Sequence, residues 1–213
     1  AAVALGSGVV SVPPFMLIPL VVIAGMVAGA LLMLGPTWLK VRFGVDEVVT
    51  TLLLNFIVLL FVSMMLEGPM KDPLGLGWPQ SEPIVPEATL PPLLPRARVH
   101  AGLLIALGAV VLVQVLLTRT IWGFEIRAVG ANASAARFAG MSATGTLIRV
   151  GLLSGALAGL AGVGEVAGLK GYLTQDLSPG YGYAGIVVAM LASLNPVGGG
   201  AAGFFAAGLF VGG

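Results

Sequence analysis

Arg119–Arg149 reads RTIWGFEIRAVGANASAARFAGMSATGTLIR, and what it separates decides the fold. A long apolar run precedes it (HAGLLIALGAVVLVQVLL) and another follows it (GLLSGALAGLAGVGEVAGL). The stretch itself holds four of the chain's ten basic residues, Arg119, Arg127, Arg137 and Arg149, against one acid, Glu125. A short basic connector between two membrane-grade runs is cytoplasmic by the positive-inside rule. Within it, Asn132 can cap a short helix through Ala133, Ala135, Ala136 and Phe138, and Gly140 is placed to end that helix. Such a helix has too little apolar surface to span a bilayer. Its small-residue face and fixed length suit a lever pushed by a soluble partner. A solvated loop with one helical turn explains the same residues, and the sequence leaves both open.

Composition supports the membrane reading. The chain is 58% hydrophobic and 9% charged, where soluble domains carry roughly 25% charged residues, and its mean hydropathy is +1.06. An integral membrane protein in the lipid bilayer is expected. There is no cysteine, which excludes a disulfide framework, thiol catalysis and cysteine metal sites, and the single histidine, His100, leaves no metal pair. No metal, no cofactor and no nucleic-acid partner are expected. Ala1 is not an initiator Met and Gly213 falls inside an apolar run, so residues 1–213 are expected to form one transmembrane domain truncated at both ends.

Moving outward toward the N-terminus, the third span is expected over Ala101 to Leu117. Before it, from Glu67 to His100, lie eight of the fourteen prolines, with Glu67, Asp72, Glu82 and Glu87 against Lys71, Arg96 and Arg98. Proline at this density disfavours helix and sheet alike, so residues 67–100 are expected as an extended, ordered loop on the outer membrane surface, with His100 interfacial. A second span is expected from Glu47 to Leu66, with Asp46 and Glu47 at its N-terminus, where the helix dipole favours acids. In it Thr51, Asn55 and Ser63 share a face; hydrogen bonding to neighbouring helices and lining of a solute path are both open readings. The first complete span is expected over Phe15 to Leu34, ended by Gly35-Pro36, with Trp38, Lys40 and Arg42 as interface anchors. Ala1 to Val10 reads as the tail of an earlier helix and Ser11-Val12-Pro13-Pro14 as a turn. Every Lys and Arg lies outside the apolar runs, six of the ten on the connector side.

On the C-terminal side, the fourth span is expected over Leu147 to Ala167. Gly151, Gly155 and Gly159 recur at spacing four, a stripe that lets another helix approach backbone to backbone. Glu165 lies near the outer end of this span, where it snorkels to the interface or faces a cavity. After Lys170 come the glycine-rich loop GYLTQDLSPGYGY, holding Tyr181 and Tyr183, and an apolar run from Ala184 to Leu194 too short to cross. Asn195-Pro196 and Gly198-Gly199-Gly200 are expected to break the chain before a second run, Ala201 to Val211. The expectation is a re-entrant hairpin or discontinuous helix, a device tolerated at membrane depth when it is buried in protein or lines a cavity.

Four segments, in order, resemble the permease subunits of bacterial ABC importers: LKVRFGVDEVVTTLLLN (Leu39 to Asn55), GFEIRAVGANASAARFAGM (Gly123 to Met141), LSGALAGLAGVGEV (Leu153 to Val166) and SPGYGYAGIVVAMLASLNPVG (Ser178 to Gly198). The resemblance is to the nucleoside and simple-sugar branch of the superfamily that holds the ribose and branched-chain amino-acid permeases. Asp46 departs from the family's usual Asn, and Leu53 from its usual Met. The resemblance implies an all-α polytopic helical bundle, a single permease domain, in the bacterial cytoplasmic (inner) membrane. It implies that Gly130, Asn132, Ala135, Ala136, Arg137 and Gly140 belong to the cytoplasmic segment, residues 119–149, that contacts a separate ATPase subunit, and Arg127 of the same connector is grouped with them. A second permease chain, expected as a heterodimer, and an extracytoplasmic solute-binding protein are the further implied partners.

The chain lacks the G-x-x-x-x-G-K-S/T loop that would hydrolyse ATP and any Ser-His pair with nucleophile-elbow spacing, so it is not expected to be an enzyme. A neutral, hydroxyl-rich solute, nucleoside or sugar, suits the uncharged polar residues available to a path: Thr51, Asn55, Tyr181, Tyr183 and Asn195, with Glu165 the one acid. Two alternatives remain. An ion-coupled secondary transporter would need mid-membrane ionisable groups, for which Glu165 is the sole candidate. A branched-chain amino-acid permease would need a buried cation or helix N-terminus for the carboxylate.

Overall fold

The structure, a computed structural model, describes residues 3, 13–73, 78–93, 100–175, 177 and 180–212. The tail expected over Ala1 to Val10, apart from Val3, most of the turn before Pro14, and Arg96 and Arg98 lie outside the described residues. The described residues are mostly helical, with no strand among them beyond isolated bridges. Four of the described helices are long and apolar enough to cross a membrane. The chain divides into two compact units, Ala1–Gly102 with Ser142–Leu177, and Leu103–Met141 with Ser178–Gly213.

In the first unit, α1 (Pro14–Phe43) starts with Pro at its first position, where a missing N–H costs nothing, and stops at Gly44, whose φ of 69° only glycine adopts freely. It therefore runs through Gly35-Pro36, where the sequence suggested a stop. Pro36 and Thr37 are buried, and Thr37 donates its hydroxyl to the Met33 carbonyl (2.8 Å). A helix in lipid has no water to take over freed backbone groups, so keeping the coil with a local hydroxyl in support is the cheaper outcome. Trp38 and Phe43 meet edge to face at 5.7 Å in the last turn, with Arg42 over Phe43. Asp46 then caps α2 (Glu47–Glu67) by accepting from Val48 N (2.7 Å), and Lys40 pairs with Glu47 across the turn.

The third helix of this unit, α6 (Ala143–Glu165), starts four residues before the expected Leu147, because Ser142 caps it by accepting from Gly145 N (3.1 Å). Arg149 consequently sits inside the helix, not outside the apolar segment as its place at the edge of the connector suggested. The glycine stripe packs as its spacing predicts. Gly151, Gly155 and Gly159 lie against Thr37, Gly29 and Gly25 of α1, running antiparallel, close enough that a Cβ at Gly159 would overlap the Gly25 carbonyl.

Beyond Glu165, α6 widens into a π-helical turn, Val166–Lys170, closed by Gly171 at φ 73°. The last carbonyls of a helix lack intrahelical donors, and here the proline-rich loop supplies them. Leu90 N donates to Ala167 O (2.7 Å) and Ile84 N to Gly171 O (2.8 Å). Ser81, only 1% exposed, exchanges backbone and side-chain bonds with Leu173: its N–H donates to Leu173 O (3.0 Å), and its Oγ accepts from Leu173 N (2.9 Å). His100 lies against Gly168, where a Cβ would meet the imidazole, and its Nδ1 accepts from Gly102 N (3.1 Å). The loop contains one short 3₁₀ turn, Pro86–Ala88, and is otherwise irregular where described.

In the second unit, α3 (Gly102–Arg119) is the third span. It leads through Thr120, which caps α4 (Ile121–Ala131) by accepting from Gly123 N (3.1 Å). α5 (Ala133–Phe138) follows. The connector is thus mostly helical; α4 was not expected, because its one Trp, one Phe and two glycines give it no clean apolar period. The C-terminal part forms two helices, α7 (Tyr181–Leu191) and α8 (Pro196–Gly212), parted by a turn with Ser193 and Leu194 both at positive φ, 50° and 59°. Asn195 starts α8 by accepting from Val197 N (3.0 Å). The expected break is present at Asn195-Pro196, but Gly198-Gly199-Gly200 lies within α8 and does not interrupt it. Gly200 instead faces Val110 of α3, where a Cβ added to the glycine would come within 3.2 Å of the valine Cγ2.

Candidate functional site

The best-defined candidate site is α5 and its flanks. Asn132 Oδ1 accepts from both Ser134 N and Ala135 N (3.0 Å each), a double N-cap. At the other end Gly140, at φ 84°, donates to Arg137 O (3.0 Å) and Met141 N donates to Ala136 O (2.9 Å), closing the last turn in the glycine-ended manner. Ala136 is buried on the unit, whereas Gly130, Asn132, Ala135, Arg137 and Gly140 are exposed, as is Arg127 on α4. Neither Arg127 nor Arg137 engages a carboxylate among the described residues. What sequence reasoning passed over is Phe138, which is 97% exposed, more than any other large apolar side chain described. A six-residue helix this short is unstable alone, so it is held by its two caps and its seat on α4. Replacing Asn132 by Ala should cost roughly 0.5–2 kcal/mol of local stability. The expected readout is several-fold faster hydrogen exchange at Ser134 to Phe138, with exchange in α6 unchanged; equal rates would show the cap to be dispensable.

The residues read as a solute path fall in both units. Thr51 and Asn55 stand on α2, where the Thr51 hydroxyl donates to Glu47 O (2.7 Å) and Asn55 is exposed with no hydrogen bond from its amide among the described residues. Glu165, half-buried, ends the α-helical part of α6 where the π-turn begins. π-turns are rare and concentrate at functional positions. In the second unit Tyr181 and Tyr183 are exposed, and they lie in the first turn of α7, not in the loop before it, because Gly180 in the left-handed region starts the helix there. Asn195 is exposed, with its side chain occupied in capping α8. One further polar group was legible and overlooked. Gln114 is the single polar side chain between Ala101 and Leu117, and its Oε1 is buried without a hydrogen-bond partner. Among the described residues no cluster of His, Asp and Glu could hold a metal ion.

Residues 1–212 match the family described as "Branched-chain amino acid transport system / permease component". The chain is 44% identical over 214 residues to a glucose ABC transporter permease protein of Haloferax volcanii, covering 96% of this chain and 56% of that protein. It is 37% identical over 195 residues to a nucleoside ABC transporter permease protein of Lactococcus lactis (88% and 54%). It is 34% identical over 188 residues to a guanosine ABC transporter permease protein of Bacillus subtilis (87% and 54%). The chain thus spans about half the length of these relatives. No solved structure matches it.

Proposed function

This chain belongs to the family of branched-chain amino acid transport system permease components, and from that membership we propose that it is the membrane-spanning subunit of an ATP-driven importer. The solute is a small neutral one, a sugar or a nucleoside, carried inward by alternating access. The observation that carries this reading is the doubly capped α5 in a basic connector, in a chain whose relatives named above are glucose, nucleoside and guanosine permeases. Those names favour a sugar or nucleoside over an amino acid. The side chains agree: Thr51, Asn55, Tyr181, Tyr183 and Asn195 are uncharged hydrogen-bonding groups, and Gln114 joins them.

Hydrolysis of ATP then falls to a separate cytoplasmic chain, with a second, non-identical permease chain and an extracytoplasmic solute-binding protein completing the importer in the bacterial inner membrane. Residues 119–149 face the cytoplasm and residues 67–100 the outside, with one span, α3, between them. Closure of the ATPase on ATP would move α5, and the packed helices would rock about the path.

Two experiments test this. In vesicles holding the full-length permease with its partners, ATP should drive uptake of labelled glucose or guanosine and not of leucine. Uptake driven by an ion gradient alone would return the secondary-transporter reading, and leucine uptake alone would overturn the solute class. For topology, single cysteines replacing Glu87 and Ser134, both exposed in this cysteine-free chain, should label from opposite faces; labelling of both from outside would reverse the arrangement.

A further inference from the structure

Gly123 fixes the level at which α4 begins. A Cβ there would overlap the Leu116 carbonyl oxygen and press on Leu117, so the backbone of the first turn of α4 lies directly against the last apolar turn of the α3 span. That first turn carries Ile121, Trp122 and Phe124, all of them exposed. A single side chain closes the joint. Thr120 donates its hydroxyl to Leu116 O (2.6 Å), one of the carbonyls left over at the end of α3, and accepts from Gly123 N (3.1 Å), one of the N–H groups left over at the start of α4. A helix broken at membrane depth must satisfy such groups from within the protein, because no water reaches them. Basic residues flank the turn: Arg119 precedes it, and Arg127 lies three residues beyond Phe124 on the same side of the helix. Both are exposed and bind no carboxylate among the described residues. Glu125, the one acid of α4, is half-buried and follows at once, so the exposed apolar surface ends with the first turn.

We propose that the first turn of α4 is a lipid anchor: Ile121, Trp122 and Phe124 enter the head-group end of the acyl layer beside the end of α3, and Arg119 and Arg127 take the phosphates of anionic lipids. The inference stands on the α3 span and not on ATP-driven import, so either can fail without the other. A soluble protein is the other occupant an exposed apolar turn could have, and depth argues against it. Such a protein would have to reach down to Leu116 and Leu117, which lie within the apolar helix long enough to cross the membrane. The residue types agree with the lipid surface. A tryptophan ring has an apolar body and a polar N–H, which is why it collects at membrane interfaces. Arginine can leave its stem among acyl chains while its head stays at the surface, where negative lipid phosphates attract it. Because α5 packs on α4, the anchor also sets the height at which α5 stands above the bilayer.

The test uses the full-length permease in liposomes, with every tryptophan but Trp122 replaced by Phe, Trp38 and Trp78 among them, so that the fluorescence reports this ring alone. Lipids brominated near the head-group end of the acyl chain should remove most of the Trp122 emission, lipids brominated near the chain end should remove less, and aqueous iodide should remove little. Quenching by iodide and not by bromolipid would place the ring in water and overturn the anchor. Quenching by neither would bury it in protein, and strongest quenching from the chain ends would place it in the middle of the bilayer; each overturns the anchor as well. Loss of bromolipid quenching when a soluble ATPase chain is added would give the turn to that chain instead. The phosphate contacts are read separately by hydrogen exchange at the amides of α4, which reports local opening. Exchange should be several-fold slower in liposomes containing anionic lipid than in neutral ones, and the difference should vanish in the double variant Arg119→Gln, Arg127→Gln. The same difference in the double variant, or none in the wild type, would overturn the pairing of these arginines with phosphate.

Discussion

Gly159→Ala is expected to destabilise this protein severely, and Gly162→Ala, three residues further along the same helix, is expected to leave it intact or slightly more stable. Alanine normally improves a helix interior over glycine by roughly 0.5–1 kcal/mol, so both changes start with the same small gain. At Gly162 nothing lies within 4 Å of the new methyl. At Gly159 the methyl would overlap the Gly25 carbonyl oxygen and press on the Cα of Met26 at 3.3 Å. These are backbone atoms, which no rotamer change can move aside. Relief requires α1 and α6 to separate along the stripe that also brings Gly29 to Gly155 and Thr37 to Gly151. Forcing one methylene into a packed core costs about 1–3 kcal/mol, and here the loss of close contacts would spread along the helix pair, because packing replaces the hydrophobic effect between helices in lipid. Thermal unfolding in detergent should show Gly159→Ala well below wild type and Gly162→Ala at or above it. Equal midpoints for the two would mean that the glycine face does not hold the first unit together.

That comparison also shows what could be read in advance. Glycines at 151, 155 and 159 announce a close-packed face by spacing alone, since removing Cβ atoms on one stripe has no other structural use at that density. Their partner could not be named, although Gly25 and Gly29 stand four residues apart in plain view, because periodicity marks a face and carries no information on which face it meets. α5 was legible down to its caps, since an Asn before an alanine run and a glycine after it are local chemistry. Pro36 misled for the opposite reason. A proline rule learned in water ignores that α6 presses on Thr37 and that the bilayer offers freed carbonyls no solvent. Tyr181 and Tyr183 misled likewise: a run of glycines reads as loop until one of them, Gly180, proves to be the left-handed residue from which a helix starts. Of the residues suggested for a solute path, the sequence could show only that each is polar. Phe138 was passed over because the chain contains many apolar side chains, and exposure distinguishes this one from the rest.

Ser81→Val should release the proline-rich loop from the end of α6 while leaving the spans in place. The loop has little regular structure to hold it, so its order depends on a few bonds to residues 167–174: Leu90 to Ala167, Ile84 to Gly171, and the paired contacts of Ser81 with Leu173. Ser81 is the most buried of these anchors, and its hydroxyl also donates to Glu82 O (3.0 Å). Valine keeps the backbone donor but removes the acceptor for Leu173 N, and a buried N–H left unpaired costs about 1–3 kcal/mol. The second methyl must also enter a site with no exposed surface to relax into, and overpacking adds about 1–3 kcal/mol. Together these would raise the population of the open loop by at least about tenfold, and cleavage follows that population when reclosing is fast. With residues 67–100 outside, as proposed, protease added to sealed vesicles should cut Ser81→Val within this loop at least about tenfold faster than wild type. α1, α2 and α6 should stay protected, because their packing lies elsewhere on the helices. Cleavage at the wild-type rate would show that the Ser81–Leu173 pair is not what fastens the loop, and the bonds of Ile84 and Leu90 to the end of α6 would then have to hold it alone.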